Sequence, residues 1–296
     1  MYDIIVVGAG PAGLTAALYA KRANKKVLVL EARNYGGQII NASVVDNYPG
    51  ILSISGYDYA TVLYNQVKDL GVDIKFETVI RVDEEKKVYT NDHEYQARAV
   101  ILAIGCENRK LGLPKETEFV GKGISYCATC DGAFFKNKTV AVIGGGNTAL
   151  EDALYLSDIA KHVYLIHRRD EFRGEAEYQS KLKKLENVEF IMNSNVKEFI
   201  GEEKIEGIVL EDKDENIKEI KVDGIFIAVG QQPNNEVFKN VATLNSTGYI
   251  ESPDGLHTNV FGIYVAGDAR VKELRQLTTA VADGSIAATI AIKEMK

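Results

Sequence analysis

The chain has 296 residues, enough for one or two domains with sizeable hydrophobic cores. Hydrophobic residues make up 46% of it and charged residues 26%, which excludes a disordered or collagen-like protein. With 35 basic and 42 acidic residues the net charge is −7, which argues against a nucleic-acid partner. Three cysteines are too few for a secreted disulfide scaffold, and no apolar run reaches the roughly 20 residues of a membrane span. We expect a soluble, cytoplasmic protein that binds neither nucleic acid nor membrane.

The first predicted elements form a dinucleotide-binding pattern. A buried strand over residues 3–7 runs into the turn Gly8-Ala9-Gly10-Pro11-Ala12-Gly13, which precedes a helix over residues 14–22. A second apolar strand, residues 27–30, ends at Glu31. The glycines allow a pyrophosphate to approach the backbone, and the helix N-terminus supplies N–H groups and a positive dipole. An acid at the end of the second strand is placed to bind a ribose hydroxyl.

The same pattern occurs a second time in the middle of the chain. A strand over residues 139–143 leads into Gly144-Gly145-Gly146-Asn147-Thr148-Ala149 and a helix over residues 150–156. The next strand, residues 162–166, ends at His167. Glu31 and His167 each lie 23 residues after the first glycine of their turn. Two matched copies are far stronger evidence than one glycine fingerprint, and they predict two dinucleotide sites.

The two copies differ where the second strand ends, and this difference predicts different ligands. Glu31 suits the adenosine ribose of an unphosphorylated dinucleotide, so the first site is predicted to bind FAD. In the second copy His167, Arg168 and Arg169 follow the strand, and Arg173 comes shortly after. Guanidinium groups bind a ribose 2′-phosphate that a carboxylate would repel. The second site is therefore predicted to bind NADPH.

Later strands predict an α/β protein of two Rossmann-like domains, one inserted into the other. Apolar strands over residues 99–105 and 224–230 end in glycine, and the tip at Gly105 is expected near a ligand. Each follows a predicted β-meander, at residues 74–97 and 198–223. A further strand at residues 262–266 precedes Gly267 and Asp268, which suggests that the chain returns to its first domain. The predicted crossings lie near residues 114–116 and 242–248.

The sequence Cys127-Ala128-Thr129-Cys130 is the other chemical feature. Two intervening residues allow a reactive disulfide at a turn or helix start. The alternatives are half of a zinc site or a chance pair of buried thiols. Zinc needs four ligands, and the sequence contains no second pair of closely spaced cysteines, so no metal is predicted. Asp131 is placed to exchange a proton with a thiolate, or else serves as a turn or N-cap residue. Cys106 is interpreted as a small core residue near the flavin.

With these motifs the chain resembles the low-molecular-weight, NADPH-dependent thioredoxin reductases over essentially its whole length. The motifs that carry the resemblance are, in chain order, residues 8–13, Gly36-Gly37-Gln38, Asn47-Tyr48-Pro49-Gly50, Cys127-Ala128-Thr129-Cys130-Asp131-Gly132, residues 144–149, His167-Arg168-Arg169-Asp170-Glu171-Phe172-Arg173, and residues 262–268 with Arg275-Gln276. Gly174 departs from the family, which often has alanine there.

The resemblance implies the placement of the ligands and the domains. FAD is expected along residues 8–13, the loop of residues 31–38, Asn47, Asp268 and the segment from Ala269 through Arg275 and Gln276 to Leu277. NADPH is expected at Gly144, Gly146, Asn147, Thr148 and the basic residues after the second strand. The FAD domain would comprise residues 1–114 and 243–296, and the inserted NADPH domain residues 115–242. A homodimer is also implied.

The resemblance further implies an electron path from NADPH through FAD and the Cys127–Cys130 disulfide to thioredoxin or a thioredoxin-like protein. It favours Cys130 as the sulfur near the flavin. A ferredoxin-driven reductase of this fold would lack the arginines, and a ferredoxin–NADP reductase would lack the cysteine pair. A flavin-binding redox sensor without turnover is the alternative from another class.

Overall fold

The computed structural model describes residues 1–42 and 44–295. Its strands are β1 Tyr2–Val7, β2 Val27–Leu30, β3 Asp73–Lys75, β4 Val79–Val82, β5 Lys87–Thr90, β6 Glu94–Leu102, β7 Glu107–Asn108, β8 Ile124–Ser125, β9 Thr139–Ile143, β10 His162–Ile166, β11 Val188–Ile191, β12 Ser194–Ile200, β13 Gly207–Asp212, β14 Ile217–Lys221, β15 Gly224–Ile227, β16 Gln231–Gln232 and β17 Ile263–Val265. Its α-helices are α1 Pro11–Arg22, α2 Gly56–Asp69, α3 Ala128–Asp131, α4 Asn147–Ser157, α5 Ala176–Leu182 and α6 Leu277–Glu294. Short 3₁₀ turns occupy Gly37–Asn41, Gly132–Phe135, Glu236–Phe238 and Gly267–Ala269.

The chain folds into two compact units, one inserted into the other. The outer unit comprises Met1–Glu107 and Gln232–Lys296, and the inner unit comprises Asn108–Gln231. The chain passes between them along β7 and β16, which pair with each other as a two-stranded sheet. The predicted insertion of one α/β domain into another is therefore present.

Both crossings lie earlier in the chain than the predicted boundaries at residues 114/115 and 242/243. After the first crossing, the carboxylate of Glu116 accepts hydrogen bonds from the backbone N–H of Leu111 at 3.0 Å and from the hydroxyl of Tyr126 at 2.7 Å, which ties this segment to the inner unit. After the second crossing, Phe238 and Val241 are buried in the core of the outer unit. These boundaries depend on which segments are buried against strands distant in sequence. The local composition of the chain does not reveal that burial.

The outer unit is built on a sheet in the order β3-β2-β1-β6, with β17 beside β6 and all these pairs parallel. Strands β4 and β5 form an antiparallel extension along the first half of β6, which is the predicted meander. One face of the sheet packs against α1, α2 and α6. The other face packs against the meander and the 3₁₀ turn Glu236–Phe238.

The inner unit repeats this plan with a five-stranded parallel sheet in the order β11-β10-β9-β15-β8. Helices α4 and α5 pack on one face. The antiparallel sheet β12-β13-β14, the second predicted meander, packs on the other. The two units differ in where their fifth strand comes from. In the outer unit it is β17, which lies near the C-terminal end of the chain, whereas in the inner unit it is β8, which comes before β9 in the chain. Within the described residues, no helix combines the length and apolarity that crossing a bilayer requires.

Candidate active site

The first glycine turn joins β1 to α1 through contacts that only glycine allows. Gly8 has φ of +107°, and a Cβ on it would lie 2.4 Å from the carbonyl oxygen of Ala103. A Cβ on Gly13 would lie 1.9 Å from the carbonyl oxygen of Gly8. Gly10 is the N-cap of α1 and provides no side-chain cap, and Pro11 starts the helix. The N-terminal N–H groups of α1 therefore receive no side-chain cap from Gly10, which suits a pyrophosphate site.

Glu31 is fixed against this turn by two backbone hydrogen bonds. Its Oε2 accepts from the N–H of Ala9 at 2.8 Å, and its Oε1 accepts from the N–H of Arg33 at 2.9 Å. Each carboxylate oxygen retains a further acceptor position for a ribose hydroxyl. The N–H of Gly36 donates to the carbonyl of Ala9 at 2.8 Å, which places the loop after Glu31 beside the turn. The following Gly37 and Gln38 are exposed.

The turn Gly267–Ala269 lies at the same end of the outer sheet, beside the start of α1. A Cβ on Gly267 would lie 2.8 Å from the Cβ of Ala12, and one on Gly284 would lie 2.1 Å from the carbonyl oxygen of Ala12. Burial raises the pKa of the Asp268 carboxyl, and its buried Oδ1 has no hydrogen-bond partner within the described part of the chain. A ligand hydroxyl would satisfy that oxygen, so this edge fits the polyhydroxyl chain and pyrophosphate of FAD.

The structure also brings together predicted flavin-site residues that are distant in sequence. Asn47 Nδ2 donates to Oε1 of Gln276 at 3.3 Å, across 229 residues of chain. Gln276 is the N-cap of α6 and forms a capping box with Thr279. The guanidinium of Arg275 lies 4.1 Å from the ring centroid of Tyr249. Leu277, the first residue of α6, is buried.

Gly105 and Cys106 follow β6 at this end of the sheet. Gly105 has φ of +66°, and no atom would lie within 4 Å of a Cβ on it. Cys106 is buried. The pKa of its thiol is raised to about 12, mainly by this burial and to a smaller extent by the negative charge of Asp268. At neutral pH this thiol is protonated and weakly nucleophilic. Its burial agrees with the predicted packing role.

Sequence reasoning missed a charged cluster behind the Gly267–Ala269 turn. Asp283, which is buried in α6, accepts from Arg270 Nε and Lys272 Nζ, both at 2.9 Å, and from the N–H of Gly267 at 3.0 Å. These contacts tie the turn to α6. The available signal was a lone aspartate among the small and apolar residues of this helix.

The second glycine turn has the same construction as the first. The N–H of Gly144 donates to the carbonyl of Ile166, and a Cβ on Gly144 would lie 2.3 Å from the carbonyl oxygen of Ala228. Ala149 stands at the position of the third glycine, and its Cβ would lie 2.7 Å from a Cβ on Gly144. Gly146 is the N-cap of α4 without a side-chain cap, and Asn147 and Thr148 at the helix start are exposed.

His167 is expected at the NADPH site with the arginines that follow it, but its surroundings differ from theirs. Its ring is buried beneath Gly145, where a Cβ would lie 2.2 Å from the ring, and it stacks on Phe172 at 5.4 Å between centroids. Burial lowers the pKa of His167, so the ring is neutral at physiological pH. The His167 ring packs against the backbone of the second glycine turn, because Gly145 has no side chain to occupy that space. The predicted phosphate ligands Arg168, Arg169 and Arg173 are all exposed.

Cys127 and Cys130 are joined by a disulfide in the inner unit. Cys127 is the N-cap of the one-turn helix α3, and its carbonyl accepts from the N–H groups of Cys130 and Asp131 at 3.3 and 3.1 Å. The predicted disulfide at a helix start is therefore present. A group of three or more His, Cys, Asp or Glu side chains able to hold a metal ion is not found among residues 1–42 and 44–295.

Asp131 is held close to the disulfide by Ser125, a residue that sequence reasoning missed. The hydroxyl of Ser125 donates to Oδ2 of Asp131 at 2.6 Å and accepts from the N–H of Cys127 at 3.0 Å. Asp131 precedes the next 3₁₀ turn but forms no side-chain cap there. Ser125 thereby links the Asp131 carboxylate to the backbone of Cys127. Ser125 lies at the end of β8, a two-residue strand too short for a recognisable pattern.

The comparisons with known proteins agree with this geometry. Residues 2–284 match the family model described as pyridine nucleotide-disulphide oxidoreductase. The chain is 44% identical to the thioredoxin reductase of Bacillus subtilis (strain 168) over 293 residues, which are 97% of this chain and 93% of that protein. It is 42% identical to the thioredoxin reductase of Mycoplasma genitalium over 290 residues, 96% of this chain and 92% of that protein. The crystal structure of thioredoxin reductase from Streptococcus pyogenes MGAS5005 superposes with a TM-score of 0.94 at 39% identity, covering 99% of this chain and 97% of the other. The chain therefore belongs to the pyridine nucleotide-disulphide oxidoreductase family and, within it, to the thioredoxin reductases.

Proposed function

We propose that this protein is an FAD-containing, NADPH-dependent thioredoxin-disulfide reductase. The observation that carries the proposal is the Cys127–Cys130 disulfide, with Asp131 fixed beside it, in a chain that also has two glycine turns of the same construction. Two dinucleotide sites and one half-buried redox pair are the parts that electron transfer from a nicotinamide to a protein disulfide requires. The names of the relatives support the same activity.

The residues of the outer unit fit FAD, which supplies two-electron transfer between a nicotinamide and a disulfide when it is bound. The glycine turn and the start of α1 would hold the pyrophosphate, with Glu31 on the adenosine ribose. Asp268, whose buried oxygen lacks a hydrogen-bond partner among the described residues, would accept a hydroxyl of the polyhydroxyl chain. Asn47, Gly105 and the segment of residues 275–277 would line the remaining part of the site.

The Cys127–Cys130 pair would carry the exchange with the protein substrate. Reduction of this bond takes two electrons and two protons and leaves two thiols. One sulfur, as thiolate, attacks the thioredoxin disulfide and forms a mixed disulfide with release of one thioredoxin thiolate. The second sulfur attacks the mixed disulfide, which restores Cys127–Cys130 and frees the dithiol form of thioredoxin. We assign Asp131 as the group that takes up and returns the proton, and the family resemblance favours Cys130 as the sulfur that would exchange with the flavin.

NADPH would bind to the inner unit at Gly144, Gly146, Asn147 and Thr148. The exposed Arg168, Arg169 and Arg173 would contact its 2′-phosphate. A homodimer and a cytoplasmic location are further parts of the proposal and rest on the family resemblance. Thioredoxin or a thioredoxin-like protein is the proposed partner.

A coupled assay tests the proposed function directly. The FAD-loaded protein is given NADPH, NADH or reduced ferredoxin, and reduction of a disulfide reporter is followed with and without thioredoxin. We expect turnover with NADPH that depends on thioredoxin. Flavin reduction by NADPH without thioredoxin-dependent turnover would instead identify a redox sensor.

A further inference from the structure

The loop that carries the three arginines, residues 167–175, is held against the second glycine turn by hydrogen bonds. The N–H groups of Arg173 and Gly174 both donate to the carbonyl of Gly145, at 2.7 and 3.1 Å. Gly174 must be small here, because a Cβ on it would lie 2.4 Å from Cδ1 of Leu150 and 3.1 Å from the N atom of Asn147. The departure from the family alanine at this position thus coincides with a close approach of the loop to the start of α4.

Asn147 and Glu175 complete this attachment with a reciprocal pair of hydrogen bonds. Asn147 Nδ2 donates to Oε1 of Glu175 at 2.8 Å, and the N–H of Glu175 donates to Oδ1 of Asn147 at 2.8 Å. Glu175 is the N-cap of α5, but its side chain makes no cap for that helix. The Glu175 carboxylate therefore points to the start of α4 and not to its own helix.

The charge of the loop makes this placement unexpected. It holds three arginines and three acids, Asp170, Glu171 and Glu175, so its formal charge is zero. If the loop served only as a positive patch for a phosphate, a carboxylate at the start of α4 would weaken binding by repulsion. Some other contribution of Glu175 must offset this repulsion. Its two hydrogen bonds to Asn147, which hold the loop at the start of α4, provide that contribution.

We propose that Glu175 is a positioning residue for nucleotide selection, which fixes through Asn147 the spacing between the glycine turn and the arginines. The proposal rests on the proposed function, since it takes NADPH as the substrate. The adenosine ribose of NADPH carries the pyrophosphate at its 5′ position, for the turn, and a phosphate at its 2′ position, for the arginines. A fixed spacing lets both phosphates bind at once without an ordering cost.

Ligands that reach one or both phosphate sites distinguish spacing from charge. Binding of 2′,5′-ADP, 2′-AMP and 5′-AMP to the FAD-loaded protein is measured by titration calorimetry for the wild type and for Glu175→Ala, Glu175→Gln and Glu175→Asp. Glu171→Ala is the matched control, because it removes an exposed acid from the same loop without touching Asn147. Glu175→Gln keeps an acceptor for Asn147, whereas Glu175→Asp keeps the charge but falls one methylene short.

The two explanations predict opposite signs for the alanine variant. If spacing matters, Glu175→Ala and Glu175→Asp bind 2′,5′-ADP roughly three- to tenfold more weakly, the range expected for one lost hydrogen bond. Glu175→Gln and Glu171→Ala then bind it at least as tightly as the wild type, and no variant binds 2′-AMP more weakly than the wild type does. If only charge matters, Glu175→Ala binds 2′,5′-ADP more tightly, and this outcome overturns the proposal. A parallel loss of 2′-AMP affinity also overturns it, because the defect then lies in the arginine contacts.

Two further readouts keep the result unambiguous. The thermal unfolding midpoint of each variant shows whether that variant is folded. If Glu175→Ala is not folded, the comparison of Glu175→Asp with the wild type is used instead. A wild type that binds 2′,5′-ADP no more tightly than 5′-AMP contradicts the NADPH preference of the proposed function itself. That failure is distinct from equal behaviour of Glu175→Ala and Glu175→Gln, which contradicts only the positioning role.

Discussion

Replacement of Asp283 by asparagine should destabilise the flavin end of the outer unit while hardly changing side-chain volume. The Asp283 carboxylate receives four hydrogen bonds: from the N–H of Gly267 at 3.0 Å, from Nε and Nη2 of Arg270 at 2.9 Å each, and from Nζ of Lys272 at 2.9 Å. An asparagine can accept through one atom only, and its amide N–H groups would face the cationic donors.

The expected magnitude follows from the burial of the partners. The side chains of Asp283, Lys272 and Arg270 are only 7%, 6% and 19% exposed, so solvent cannot replace the lost carboxylate. Breaking one side of a buried ion pair costs about 3–5 kcal/mol. Because asparagine retains one acceptor, we expect a loss of about 3 kcal/mol in the free energy of unfolding of this unit.

Urea unfolding of the FAD-loaded protein measures this loss. Release of FAD is followed by flavin fluorescence, and unfolding is followed by the fluorescence of the 15 tyrosines, since the chain has no tryptophan. Glu273→Gln, an exposed acid in the adjoining segment, is the control and should change stability by less than about 0.5 kcal/mol. Equal midpoints for Asp283→Asn and the control would refute the inferred role of the cluster.

The same variant predicts a pH dependence. Burial acts to raise the pKa of Asp283, but the hydrogen bonds from Arg270 and Lys272 outweigh it and hold this pKa below the ordinary value of 3.8. The ionised carboxylate therefore stabilises the fold fully above pH 3.8, and this contribution is lost as pH falls through the lowered pKa. The stability difference between wild type and Asp283→Asn should be constant near neutral pH and shrink below that value.

The remaining predictions concern the redox and nucleotide groups. Changing Cys127 or Cys130 to serine should abolish thioredoxin reduction and leave anaerobic bleaching of the flavin by NADPH intact; loss of bleaching would contradict the assigned roles. Neutral residues at Arg168 and Arg169 should raise KM for NADPH far more than for NADH, since charge-assisted bonds contribute roughly 1.5–3 kcal/mol each, and a wild type that uses both nucleotides equally would exclude this. Cys106→Ser should keep turnover within a few-fold, and with a thiol pKa of about 12 Cys106 should resist alkylation at neutral pH until the protein unfolds. An inactive Cys106→Ser variant that still binds FAD would show that its packing role is wrong.

The sequence alone determined the two dinucleotide-binding repeats and the disulfide. These features are local: a strand, a tight turn and a helix follow one another within about 25 residues, and glycine is required where backbones meet. Gly8 and Gly144, for example, lie against the carbonyl oxygens of Ala103 and Ala228, which follow equivalent strands. The pair Cys127 and Cys130 closes a short ring whose geometry depends on one helical turn. Local spacing therefore carried enough information to predict them.

Only the tertiary structure decided the burial of His167, the division of the chain into two units and the contacts of Ser125, Glu175 and Asp283. His167 has the sequence context of a phosphate ligand, yet the absence of a Cβ at Gly145 opens a space that its ring fills. Asp283 meets Gly267 across 16 residues, and Glu175 meets Asn147 across 28. The burial and partner of such polar groups depend on which distant elements pack together, because desolvation and hydrogen bonding are set by three-dimensional neighbours and leave no periodic trace along the chain.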